Sequence, residues 1–161
     1  MDLRIGNGID FHNLKSGKKL ILGGVKIDSP IGVVAYSDGD VLIHALVDSI
    51  LGALSLGDLG TYFPSDNKKW ENADSMIFLD MANNKMNELG YELLNTDITI
   101  ILQSPPINKY RNNIINNIAS KLHVNPNQIS LKATTTDKLG FIGKKEGIAS
   151  FVSTLLIHNG N

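Results

Sequence analysis

The apolar positions of this chain change period as it runs, and the changes mark its elements. Leu3-Arg4-Ile5-Gly6 alternates as a short strand and runs into a glycine-rich turn, Gly6-Asn7-Gly8. Lys19 to Leu22 and Val25 to Asp28 flank Gly23-Gly24, the punctuation of a β-hairpin. Pro30 to Gly39 shows no period and ends in Ser37-Asp38-Gly39-Asp40. These polar residues precede an apolar run from Val41 to Leu54, which predicts a helix capped by Asp38 or Asp40. Gly57 to Trp70 again lacks a period and is long for a structureless loop, which points to function or disorder. A second helix is expected from near Asp74 to Leu89, with Gly90 ending it. Thr96 to Gln103 reads as a buried strand, stopped by Pro105-Pro106, and a third helix follows from about Asn108 to Leu122. Strands at Ile129 to Thr134 and Ile148 to His158 close the chain around a glycine-marked loop, Leu139 to Gly147.

Strands and helices mix along residues 1–161 with no linker and no repeat, so the expected fold is one α+β domain, a sheet with helices packed on one face. Both late strands read as apolar on both faces. A sheet face that three helices leave bare must be hidden by another subunit, so an oligomer is expected.

Composition narrows the function. With 42% hydrophobic and 19% charged residues the chain is ordinary globular material. Fifteen basic residues against sixteen acidic ones give a net charge of −1, so no global field draws it to nucleic acid or an anionic membrane. Any anionic ligand must be met locally. The absence of cysteine excludes disulfides and thiolate metal sites, which leaves His, Asp and Glu as metal ligands. No apolar stretch approaches a membrane span, and Met1-Asp2-Leu3-Arg4 does not resemble a signal peptide. The expected location is the cytoplasm, or a plastid-type organelle if a leader has been removed.

Three groups of residues carry candidate chemistry. Asp10 and His12 stand two apart after a strand, so their side chains share one side and either hold a metal together or serve as a turn cap and a surface histidine. Asp40, His44 and Asp48 recur every fourth residue along an otherwise apolar helix, as a solvated face or a site. If His44 joined Asp10 and His12, three ligands and an open fourth position would match catalytic zinc. Lys132 to Lys138 leaves a strand with three threonines and Asp137, which suits phosphate oxygens and a bridging Mg²⁺, or simply continues a β-strand.

Taken together, Arg4 to His12, Ser37 to His44, Leu56 to Gly60 with Phe63-Pro64, and Lys132 to Gly140 with Gly143 to Gly147 resemble the 2-C-methyl-D-erythritol 2,4-cyclodiphosphate synthase family. The blocks occur in the family's order and span nearly the whole chain. The resemblance implies a homotrimer with active sites between subunits. It implies a phosphorus–oxygen lyase of non-mevalonate isoprenoid synthesis. The substrate would be the cytidine diphosphate compound 4-diphosphocytidyl-2-C-methyl-D-erythritol 2-phosphate, whose 2-phosphate attacks the nearer diphosphate phosphorus and expels CMP.

By position, the resemblance makes Asp10, His12 and His44 the ligands of one Zn²⁺ per chain and Asp137 the ligand of Mg²⁺ or Mn²⁺ bound with substrate. It gives Tyr36 and Thr135 catalytic positions and makes Ser37 a phosphate contact. Asp58, Leu59 and Gly60 would hold the methylerythritol hydroxyls, beside a flexible loop containing Phe63 and Asp66. Gln103, Ser104 and Pro105 fall in the cytosine pocket, and Ala133, Thr134 and Thr136 at the diphosphate. Phe141 and Lys144 match an aromatic and an Arg near the substrate phosphates and the trimer's central cavity. Asn7 and Tyr36 stand where the family has His, Ser65 where Asp is usual, and Asp137 where Glu is usual. Two other readings remain at this point: a degenerate member that binds nucleotide and metal without turnover, and a zinc hydrolase that activates water in the open site.

Overall fold

In the computed structural model, which describes residues 2–160, the longest strand is β1, Leu3–Ser16. The turn expected at Gly6-Asn7-Gly8 is absent, because the strand continues straight through it. These glycines answer a different demand. A Cβ on Gly6 would lie 1.9 Å from the Ser49 carbonyl oxygen, and one on Gly8 would lie 1.8 Å from that of Ala45. Helix α1, Val41–Ala53, is thereby seated directly on the backbone of β1. Its buried residues run nearly all round the helix, from Val41 to Ala53.

β2 (Leu20–Leu22) and β3 (Val25–Ile27) form the expected hairpin as a small sheet of their own. The segment read as irregular begins with a strand, β4 (Ile31–Val34), paired to the end of β1. β5 (Tyr91–Ile101) starts earlier than Thr96, because a register shift between Leu93 and Asn95 breaks the alternation that would have revealed it. β6 (Ile129–Thr134) and β7 (Gly147–His158) complete a five-stranded sheet in the order β4-β1-β7-β5-β6. Its pairs are antiparallel except β5 with β6.

Three more helices follow α1 before β6 and β7 close the sheet: a single turn, α2 (Leu59–Tyr62), inside the stretch that shows no period, then α3 (Met76–Glu88) and α4 (Arg111–Leu122). Another single turn, α5 (Gly140–Gly143), lies in the glycine-marked loop. α1 lies across β1 and β7, α4 against β6, and α3 packs between those helices. The opposite face of the sheet is open: Ile5 is 70% exposed, Phe11 56% and Ile9 54%. β7 is apolar on both faces, as expected, but β6 is not. Its Ile129 and Leu131 are buried, while Ser130, Lys132 and Thr134 are exposed.

Candidate metal centre and adjoining clefts

The packing of α1 on β1 decides where His44 points. Gly8 meets Ala45, so Asp10 and His12, farther along the same face of the strand, come level with His44 near the N-terminus of the helix. Asp10 Oδ2 lies 2.9 Å from His12 Nε2 and 3.0 Å from His44 Nδ1, and the two ring nitrogens are 3.2 Å apart. Burial by itself would raise the pKa of Asp10. Hydrogen bonds from His12 and His44, and their charge, outweigh it and hold the carboxyl well below the usual range, so it is an anion.

Two imidazole nitrogens and a carboxylate oxygen converge, a donor set suited to a divalent transition metal. Their spacings are close to the edge of about 3.3 Å that a tetrahedron with bonds of about 2.0–2.1 Å would have. Among the described residues this is the only group of three or more His, Asp and Glu side chains with such spacing.

The polar stripe on α1 is therefore no solvated face. Asp40, fully buried, caps the helix by accepting the Ile43 N–H at 3.1 Å and ties in the β2–β3 hairpin through the Gly24 N–H at 2.7 Å. Asp38, the other candidate, does not cap α1. Asp48 accepts the Leu59 N–H at 2.7 Å and so fixes α2 beside the cluster.

His12 and His44 form the floor of a cleft of about 320 Å³ walled by Tyr36, Ser37, Leu59, Gly60, Phe63 and Trp70. Phe78, beneath it, lies 6.0 Å from the His44 ring and 4.3 Å from Phe63, centroid to centroid. Asp58 stands just outside as the cap of α2, where Oδ1 accepts the Thr61 N–H and hydroxyl at 2.9 and 2.8 Å. Asp66 is exposed and does not line the cleft, whereas Ser65 does. Sequence reasoning missed Trp70, Phe78 and Ser75. Trp70 ends the segment without a period, and Phe78 and Ser75 fall inside the expected second helix, where nothing in their spacing sets them apart.

A second cleft opens at the far side of the sheet, lined by Gln103, Pro105, Asn108, Ala133, Thr134 and Thr135. Ser104 sits half-buried at its edge. Gln103 Oε1 accepts the Lys138 N–H at 3.1 Å, which ties this cleft to the loop bearing Asp137. The Thr136 hydroxyl is committed to the Leu139 carbonyl at 2.7 Å, and that of Thr135 reaches Asp137 Oδ1 at 3.3 Å. Asp137 is exposed. Phe141 lies 6.4 Å from Phe11 on the open face, and Lys144 caps α5 nearby.

Strand register measures the separation of the two clefts. Asp10 pairs with Ser150, Ser150 with Ile100, and Ile100 with Ala133, so three inter-strand steps of about 4.8 Å, about 14 Å in all, lie between Asp10 and Ala133. Ser150 and Ile100 are completely buried, so packed core fills that row.

The model of the YgbB family matches residues 3–157. A 2-C-methyl-D-erythritol 2,4-cyclodiphosphate synthase of Fusobacterium nucleatum is 46% identical over 154 residues, 96% of either chain. The bifunctional enzyme IspD/IspF of Campylobacter lari is 48% identical over 155 residues; these are 96% of the present chain but only 42% of that protein. The solved structure of IspF from Plasmodium falciparum in complex with CDP superposes with a TM-score of 0.88 at 43% identity, covering 98% of this chain and 97% of that one.

Proposed function

Since the chain belongs to the YgbB family, we propose that its two clefts are the halves of a 2-C-methyl-D-erythritol 2,4-cyclodiphosphate synthase site. The reaction is the cyclodiphosphate-forming step of the non-mevalonate pathway: the 2-phosphate of 4-diphosphocytidyl-2-C-methyl-D-erythritol 2-phosphate closes on the nearer diphosphate phosphorus, and CMP leaves. This is phosphorus–oxygen lyase chemistry. The observation that carries it is the convergence of Asp10, His12 and His44 at the floor of a cleft walled by Tyr36 and Ser37.

The attacking group is already an anionic phosphate oxygen, so no general base is required. The difficulty is to hold two mutually repelling phosphates in line, and positioning with charge neutralisation meets it. Asp10, His12 and His44 would hold one Zn²⁺ per chain, which supplies Lewis-acid polarisation of a phosphate when bound. Tyr36 and Ser37 present hydroxyl donors to phosphate from the wall of the same cleft. Leu59 and Gly60, with the carboxylate of Asp58 beside them, take the methylerythritol hydroxyls. Gln103, Ser104 and Pro105 receive the cytosine, and Ala133, Thr134, Thr135 and Thr136 face the diphosphate. Asp137 would hold Mg²⁺ or Mn²⁺ with the substrate, with its remaining ligands drawn from phosphate.

The filled row between the clefts favours a site assembled from two copies of the chain, and the exposed Ile5, Ile9 and Phe11 supply apolar surface for that association in a homotrimer. Phosphorus NMR of the products, alongside CMP release, tests the reaction. CMP and a cyclic diphosphate in equal amounts are expected. An open-chain phosphate product, or no CMP at all, would refute it.

A further inference from the structure

A serine at the start of a helix ordinarily turns its hydroxyl onto the free N–H groups of the first turn, a contact worth about 1 kcal/mol. Ser75 precedes α3 in that position and makes no such bond. Its hydroxyl, completely buried, turns the other way. It lies 3.0 Å from His44 Nε2 and donates to Asp38 Oδ1 in a short contact. Asp38 is itself pinned, since Oδ2 accepts the Ser75 N–H at 3.0 Å and Oδ1 the Asp40 N–H at 3.2 Å. Asp74 beside it accepts the Met76 N–H at 2.9 Å and serves the first turn of α3, so the Ser75 hydroxyl is free for the contact with His44 and Asp38.

His44 offers Nδ1 to the cluster and Nε2 to the serines. A ligating nitrogen must be bare, so the ring's proton must sit on Nε2 and needs an acceptor there. Two oxygens are in reach, Ser75 Oγ at 3.0 Å and Ser37 Oγ at 3.2 Å. The Ser75 hydroxyl proton is committed to the Asp38 carboxylate, which leaves its lone pairs facing the ring. Ser37 lies on the cleft wall, whereas Ser75 is sealed behind it.

Resting on the reading of Asp10, His12 and His44 as a metal site, we infer that Ser75, oriented by Asp38, is the positioning residue for His44. It locks the tautomer that exposes Nδ1, and so releases the Ser37 hydroxyl to turn toward a substrate phosphate. The Asp38–Ser75–His44 chain thus joins three segments, the loop before α1, the start of α3 and α1 itself, behind one metal ligand.

The test uses the intact protein with zinc as probe. Affinity is read by competition with a chelating dye, and the His44 ring proton by ¹H–¹⁵N NMR of the zinc-loaded form. In the starting protein the ring carries its proton on Nε2, shielded from exchange and close to the Ser75 methylene. Ser75→Ala should lower zinc affinity about 10–100-fold and expose that proton to exchange. Asp38→Asn, which keeps an acceptor for Ser75 but removes its charge, should give a smaller loss in the same direction. Ser37→Ala should keep zinc affinity while raising KM. Should Ser75→Ala fail to fold, the Asp38→Asn affinity and the NMR of the starting protein decide the matter. Undiminished zinc affinity in Ser75→Ala, a proton on Nδ1, or a loss that follows Ser37 instead would overturn the inference alone. A starting protein that takes up no zinc would overturn the metal reading and the inference with it.

Discussion

His12 and His44 each supply one of the three donors of the cluster, so removing either leaves too few ligands for a stable site. His12→Ala and His44→Ala should each lose stoichiometric zinc, measured by metal analysis after dialysis, together with CMP release. Tyr36 sits on the wall of the same cleft, at a position where the family resemblance implies His, and it keeps a hydrogen-bond donor without a positive charge. Tyr36→Phe should lower turnover by up to about 10²–10³-fold with zinc content intact, and Tyr36→His should match or exceed the starting protein. Unchanged kcat in the Phe variant would make Tyr36 a packing residue. The three members of the cluster were within reach of the sequence, because a spacing of two on a strand and a lone His on an apolar helix are both visible there. Ser75 was not. Its residue type and place before α3 fit an ordinary cap, and only the turn of its hydroxyl toward His44 shows otherwise.

β1 and α1 form the frame on which the cluster depends. A methyl added at Gly8 would meet the Ala45 backbone, which has no rotamer with which to yield. Gly8→Ala should therefore cost about 3 kcal/mol or more in chemical denaturation, the upper end for overpacking, and should weaken zinc binding by pushing His44 away from Asp10. The N-terminus of α1 carries a pH dependence of its own. Burial pushes the Asp40 carboxyl up to about 6 from an ordinary 3.8, against the N–H groups of Gly24, Ile43 and Gly23, and the nearby Asp38 charge adds to the rise. The folded state then holds a proton that the unfolded chain has already released. The stability this gives is complete below about pH 4 and is lost as pH rises through 6, about 2 kcal/mol between pH 4 and pH 7. Urea titrations should show that slope in the starting protein and its absence in Asp40→Asn. The single turns α2 and α5 are too short to show a period, whereas the three long helices and the hairpin were legible because their periods and turn residues are local. The length of β1 was not, since Gly6 and Gly8 read as turn punctuation until a helix some forty residues later explains why they lack side chains.

The whole molecule carries two clefts, separated by a filled row of core. The reading of both late strands as apolar on both faces, with three helices to cover them, led to the expectation of a partner, although β6 proved apolar on one face only. The distance between the clefts follows only from the strand register, which no periodicity discloses. Light scattering at micromolar concentration should report three chains per particle, and a monomer would leave the shared site open. The most direct test of the account is subunit mixing. His44→Ala spoils the metal half and Thr135→Ala the phosphate half, so each homotrimer should be nearly inactive. In trimers assembled from an equal mixture, about a quarter of the interfaces should pair an intact metal cleft with an intact phosphate cleft from the neighbouring chain, and cyclic diphosphate should form at about a quarter of the starting rate. A mixture as inactive as either parent would contradict a site built from two chains.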